Sequence, residues 1–95
     1  MRLSQYQKQT ILQVIKQVDT EAKVYLFGSR VDDGKKGGDI DILIHSQSLN
    51  KEELRKIKWQ LMEQLGEQKI DIIISKDLKE PFVKLIMPTA VELAL

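Results

Sequence analysis

Cysteine is absent from the 95-residue chain, so disulfides and thiolate-ligated zinc are both excluded, and the redox compartment is left open. No apolar run approaches the roughly 20 residues that cross a bilayer. The first residues, Met1 to Gln5, lack an apolar signal core. A membrane location is therefore not expected, and the cytoplasm is the default. Charge of one sign is also missing: 15 Lys and Arg stand against 14 Asp and Glu, a net charge of +1. That balance argues against bulk electrostatic binding to DNA, RNA or an anionic membrane, although a local basic loop that handles phosphate remains compatible with it. The patterns Gly-x-Gly-x-x-Gly and Gly-x-x-x-x-Gly-Lys-Ser/Thr are absent, which removes the Rossmann and P-loop readings.

What is present fits one domain over residues 1–95, without repeats, linkers or low-complexity segments. Ser4 predicts an N-cap for a helix to about Val18, with Ile11, Leu12, Ile15 and Val18 on its buried stripe. Val24 to Phe27 reads as a strand that stops at Gly28. Four of the five glycines fall between Gly28 and Gly38, so that stretch is a loop of unusual backbone freedom. Asp39 to Ile44 forms a second strand with Ile40, Ile42 and Ile44 on one face. Asn50 caps a helix to about Leu65, with a stripe of Leu54, Ile57, Leu61 and Leu65 and a stop at Gly66. Lys69 to Ile74 is a third strand, Pro81 opens a short helix, and Thr89 is expected to cap a last helical turn to Leu95. The order α-β-β-α-β-α describes an α/β (α+β) domain, a small mixed sheet flanked by helices.

The chemistry-bearing residues are acidic. Asp is disfavoured in strands, and like charges on one strand face repel. Yet Asp39 and Asp41 stand two apart, on the same face, with Cα atoms roughly 6.5–7 Å apart. Asp71 recurs in the next strand within a similar Ile-Asp-Ile run. If the two strands are neighbours, the three carboxylates meet. Mg²⁺ takes oxygen ligands and commonly uses one or two carboxylates plus substrate phosphates. Three carboxylates suit two Mg²⁺ ions about 3.5–4 Å apart, the arrangement for in-line phosphoryl or nucleotidyl transfer. A lone Asp-x-Asp is more often a solvated strand face; the glycine-rich loop before it and the third Asp after it tip the balance.

Gly28 lets the backbone approach a phosphate, and Ser29 offers a hydroxyl and an N–H to it. Arg30 either forks onto phosphate or fixes the loop by pairing with a carboxylate. Lys35 and Lys36 read as solvated charges, and Asp32 and Asp33 as turn formers. His45 reads as a polar residue facing solvent at a strand end. Trp59 lies off the core stripe of its helix beside Met62, a candidate partner surface or a helix-edge packing residue. The tail from Phe82 to Leu95 reads as core, with the Leu85, Ile86 and Met87 cluster as the alternative, a dimer contact.

Gly28-Ser29-Arg30, then eight residues, then Asp39-Ile40-Asp41, with Asp71 on a later strand, resembles the DNA polymerase β-type nucleotidyltransferase superfamily. The match is to its smallest branch, the minimal nucleotidyltransferases, and covers essentially the whole chain. The resemblance implies a palm-like core, Asp39 and Asp41 on both metals, and Asp71 completing the site and serving as base or electrostatic partner for the acceptor hydroxyl. It implies a triphosphate held by Gly28 and Ser29, ATP as donor and AMP as the transferred group. Minimal members often accompany a small helical HEPN-type protein, act as antitoxins, and in some cases adenylylate a tyrosine of that partner; homo- or hetero-oligomers are compatible with this. Many relatives carry Ser or Asp where Gly38 precedes the first metal Asp here, which removes one phosphate donor and leaves the triad intact. The alternative is a catalytically idle antitoxin on the same scaffold, neutralising by binding alone.

Overall fold

Ser4 opens the first helix, α1 (Gln5–Val18), through a reciprocal capping box. The Gln7 N–H donates to Ser4 Oγ at 3.0 Å, and the Ser4 N–H donates to Gln7 Oε1 at 2.9 Å. The computed structural model to which these contacts belong describes residues 3–31, 38–66 and 68–94. Four of the helix's five buried residues are apolar, namely Ile11, Leu12, Val14 and Ile15, whereas Val18 at the fraying end is exposed. The same device opens α2 (Lys51–Leu65). There the Glu53 N–H donates to Asn50 Oδ1 at 2.8 Å and the Asn50 N–H to Glu53 Oε1 at 3.2 Å. Gly66 ends α2 at φ +80°, its N–H donating to the Met62 carbonyl. Pro81 occupies the first turn of α3 (Pro81–Ile86), where its missing N–H is not needed.

The strands are β1 (Lys23–Phe27), β2 (Ile40–His45), β3 (Ile70–Ser75) and β4 (Val91–Glu92). They form a mixed sheet in the order β3-β2-β1-β4. β2 and β3 run parallel, with α2 as the crossover that parallel neighbours require. β1 is antiparallel to β2 on one side and to β4 on the other.

The last element departs from expectation. No helical turn follows Thr89: after a 3-10 turn at Met87–Thr89, Ala90 is extended and the chain adds β4 to the outer edge of β1. The Leu93 N–H then donates to the Val24 carbonyl at 2.8 Å, and the Leu93 side chain is buried. Pairing an open strand edge and burying one leucine outweigh the local turn preference of Pro88-Thr89. Leu95 lies outside the described residues.

Strand parity sorts the two faces. Val24, Leu26, Ile40, Ile42, Ile44 and Ile70 face α1 and α2 and form the main core with Ile11, Ile15, Ile57 and Leu61. The opposite face carries a smaller cluster of Phe27, Leu43 and Val83, flanked by Tyr25, Ile73 and Ile86. The C-terminal region therefore divides between packing and exposure: Val83 and Leu93 are core, whereas Phe82 and Leu85 are exposed. α3 covers only the apolar part of this second face. Asp41 and Asp71 share this face by strand parity.

Candidate active site

The strand register sets the geometry. Phe27 on β1 pairs with Asp41 on β2, and Asp41 pairs with Asp71 on β3. The three side chains form one row across adjacent strands, which lie about 4.7–4.9 Å apart. Asp39 precedes β2 by one residue and two residues before Asp41, so it extends the acidic patch on the same face toward the loop. The neighbour relation between the second and third strands, on which the sequence reading depended, is met in register.

The Asp41 carboxyl is held above the ordinary carboxylate range, first by partial burial and then by the charges of Asp71 and Asp39, with Lys69 opposing them. Such crowding disfavours three ionised carboxylates and is relieved by a cation. Lys69 supplies part of that relief, its ammonium standing 3.6 Å from Asp39 Oδ2. Among the described residues, no three His, Cys, Asp or Glu side chains are already gathered closely enough to hold a metal ion. The donor set is nevertheless all carboxylate oxygen, which is the chemistry Mg²⁺ selects over imidazole or thiolate.

Gly28 follows Phe27 at φ +79°, a conformation glycine adopts without strain. A Cβ there would collide with the Asp41 carboxylate oxygen Oδ2. Glycine is thus favoured by the backbone, and any side chain there would push the Asp41 carboxylate aside. Ser29 and Arg30 continue into a 3-10 turn, Gly28–Val31. The Arg30 Nε–H donates to the Gly38 carbonyl at 3.3 Å, joining the two ends of the glycine-rich loop. Asp32, Asp33, Lys35 and Lys36 lie outside the described residues.

His45 stays apart from the row. Its Nε2 makes a 3.1 Å hydrogen bond with the Lys76 carbonyl at the far end of β2. Trp59 is 62% exposed and Met62 50%, so the indole lies on the outer surface of α2 rather than in the core. Two grooves, of about 570 and 370 Å³, lie elsewhere, and neither is lined by a residue of the carboxylate row. The larger runs between α1 and the C-terminal segment, the smaller beside His45 and Asp19. Asp41 and Asp71 are themselves half-buried.

Two further residues border the row. Lys69 precedes β3 opposite Asp39, a placement that follows from aligning the two Ile-Asp-Ile runs in parallel. Phe27 is the apolar neighbour of Asp41, and its ring meets that of Phe82 edge to face with centroids 6.1 Å apart; only the antiparallel register reveals it.

A parallel β-α-β unit with carboxylates at the start of both strands, and a Gly-Ser turn leaving the antiparallel neighbour, defines a nucleotidyl-transfer palm. The family described as Polymerase beta, Nucleotidyltransferase matches residues 9–94, and the chain belongs to it. No curated protein matches the chain. Membership carries nucleotidyl transfer as the general activity and a nucleoside triphosphate as substrate. Among the described residues, no helix is long and apolar enough to cross a membrane.

Proposed function

We propose that the chain is a minimal nucleotidyltransferase domain that moves AMP from ATP to an acceptor hydroxyl in a Mg²⁺-dependent reaction. The acceptor is carried by a small helical HEPN-type protein that the chain restrains as an antitoxin, in the cytoplasm. The observation that carries the catalytic part is the in-register pairing of Asp41 with Asp71, with Asp39 on the same face and Gly28 against Asp41.

In this reading Asp39 and Asp41 would hold Mg²⁺, which would supply Lewis-acid activation of the acceptor hydroxyl and charge neutralisation at the triphosphate. The Gly28 backbone and Ser29 bind the β- and γ-phosphates and orient the α-phosphorus toward the row. Asp71, on the edge strand, accepts the proton of the acceptor hydroxyl. The new bond joins the acceptor oxygen to the α-phosphorus, the bond from that phosphorus to the α,β-bridging oxygen breaks, and pyrophosphate leaves. Lys69, which contacts Asp39 at 3.6 Å, would turn its ammonium to the phosphates when Asp39 binds a cation.

The Lys69–Asp39 contact also favours a second reading, in which the row is partly neutralised from within and the chain acts by binding alone. One experiment separates them. The protein is incubated with α-labelled ATP, Mg²⁺ and a HEPN-type protein that copurifies with it, and the incubation is repeated with Asp39→Asn and Asp41→Asn. Label on the partner that both substitutions abolish is the expected result. Neutralisation of the partner that survives both substitutions, with no label transferred, establishes the binding-only module instead.

A further inference from the structure

Across the face that bears the carboxylates, the row reads Asp71, Asp41, Phe27 from β3 to β1. With the acceptor at Asp71 and the pyrophosphate leaving in line toward the Gly-Ser turn after β1, the nucleoside departs across that axis, and the aromatic surface beside the row on this face is that of β1 and α3. Phe27 is there, but it is buried and presents little surface. Phe82 stands next to it and is 51% exposed.

Three features set Phe82 apart from an ordinary exposed phenylalanine. It follows Pro81 in the first turn of α3, so its backbone is held by a residue of fixed φ. The next residue, Val83, is buried in the small core against Phe27 and Leu43, which anchors the helix to the sheet. Its ring meets that of Phe27 at an interplanar angle of 78°. In such a T-shaped pair one ring gives its edge to a face of the other, so Phe27 occupies at most one face of Phe82. Phe82 is therefore a positioned, half-exposed ring with at least one face not taken by Phe27, the residue paired with Asp41.

We propose that Phe82 is the base platform of this site, stacking on the aromatic base of the bound nucleoside triphosphate. The inference rests on the nucleotidyl-transfer reading above and supplies what that reading lacks, a contact for the base. Stacking needs only a π-face and so tolerates any base, but purines, with the larger ring system, gain more from it than pyrimidines. Phe27 acts through Phe82 and is a positioning residue, its packed ring fixing the platform's angle.

The test compares binding of ATP, CTP and inorganic tripolyphosphate, each with Mg²⁺, by calorimetry on wild type, Phe82→Ala and Phe82→Trp. Loss of one base–aromatic stack weakens ATP binding by roughly 5- to 150-fold in Phe82→Ala. The preference for ATP over CTP should shrink in that variant, tripolyphosphate affinity should stay unchanged, and Phe82→Trp should restore ATP binding. The proposal is overturned if Phe82→Ala binds ATP within twofold of wild type, or if ATP and tripolyphosphate weaken together. Weakened capture of a protein partner with ATP binding intact also overturns it, by making Phe82 and Leu85 a docking patch. Wild-type protein that takes up neither ATP nor tripolyphosphate sinks the parent reading and this one together, a result distinct from the others.

Discussion

Gly28 joins strand, loop and carboxylate in one residue. Alanine there has to adopt φ +79° and thrust its methyl at Asp41 Oδ2. The backbone cost is about 1–2 kcal/mol, and the displaced carboxylate should reduce transfer on the order of 100-fold, the usual penalty for a group misplaced by an ångström. Thermal melting and the label-transfer assay measure the two losses separately. Asp41 itself yields a pH prediction. Its folded-state pKa lies above the unfolded value of about 3.9 because burial and two neighbouring carboxylates penalise its charge. The folded state consequently holds the proton more tightly, and this residue's contribution to stability falls as pH rises from about 4 through the folded value. In the absence of divalent ions, Asp41→Asn should gain stability relative to wild type on going from pH 4 to pH 7. A difference between the two proteins that stays flat across that window would contradict the crowding of the carboxylates. At this scale the period-two spacing made Asp39 and Asp41 legible in the sequence, because parity alone puts them on one face. The approach of Gly28 to Asp41 was not legible, since it depends on the antiparallel register of Phe27 with Asp41.

The elements whose ends are written in local chemistry were legible too. Ser4 with Gln7 and Asn50 with Glu53 each close a capping box, and Pro81 opens a helix where its ring is tolerated. β4 was not, because two residues carry no period and the strand exists only through the edge of β1 and the burial of Leu93. The junctions between elements hold a second feature invisible to pattern reading. Ser46, buried at the end of β2, donates its hydroxyl proton to Asp19 after α1 and accepts from the N–H groups of Ser48 and Leu49 before α2. It ties three elements with one side chain. Ser46→Ala should cost about 1–3 kcal/mol, measured by denaturant titration at pH 7. Asp19 is held below its ordinary pKa chiefly by that hydroxyl, so the stabilisation is present above pH of about 3.9 and is lost as pH falls through the lower folded value. The gap between wild type and variant should narrow at acid pH, to the extent that Asp19 carries it. On the outer side of α2, Trp59→Ala removes an exposed indole and should change stability by less than about 0.5 kcal/mol. If α2 is the partner's docking helix, the same substitution weakens the complex by about 2 kcal/mol or more, a hot-spot loss readable by calorimetry.

For the molecule as a whole, one face of the sheet agrees with every folding preference and the other departs from them at one end. Alternating isoleucines meet two amphipathic helices on the first face. On the second, strand-disfavoured aspartates stand in register beside one another and raise the pKa of the central one. Local rules broken together at one place, in a chain otherwise consistent with them, are the mark of a functional site. They also imply that the metal-free protein is held below its attainable stability and that ligands restore it. Mg²⁺ with ATP at 100 times its Kd should add about 2.7 kcal/mol, which for a domain of this size is a rise in Tm of roughly 10–20 °C. Mg²⁺ alone should give a smaller rise and ATP with EDTA almost none, because the triphosphate then meets unscreened carboxylates. Asp39→Asn and Asp41→Asn should melt at or above the wild-type temperature without ligand, having shed a repulsion, and should lose the ligand-dependent rise. That combination distinguishes an emptied metal site from an unfolded one. A rise that persists in both variants would place Mg²⁺ and ATP somewhere other than the row and detach the chemistry from Asp39, Asp41 and Asp71.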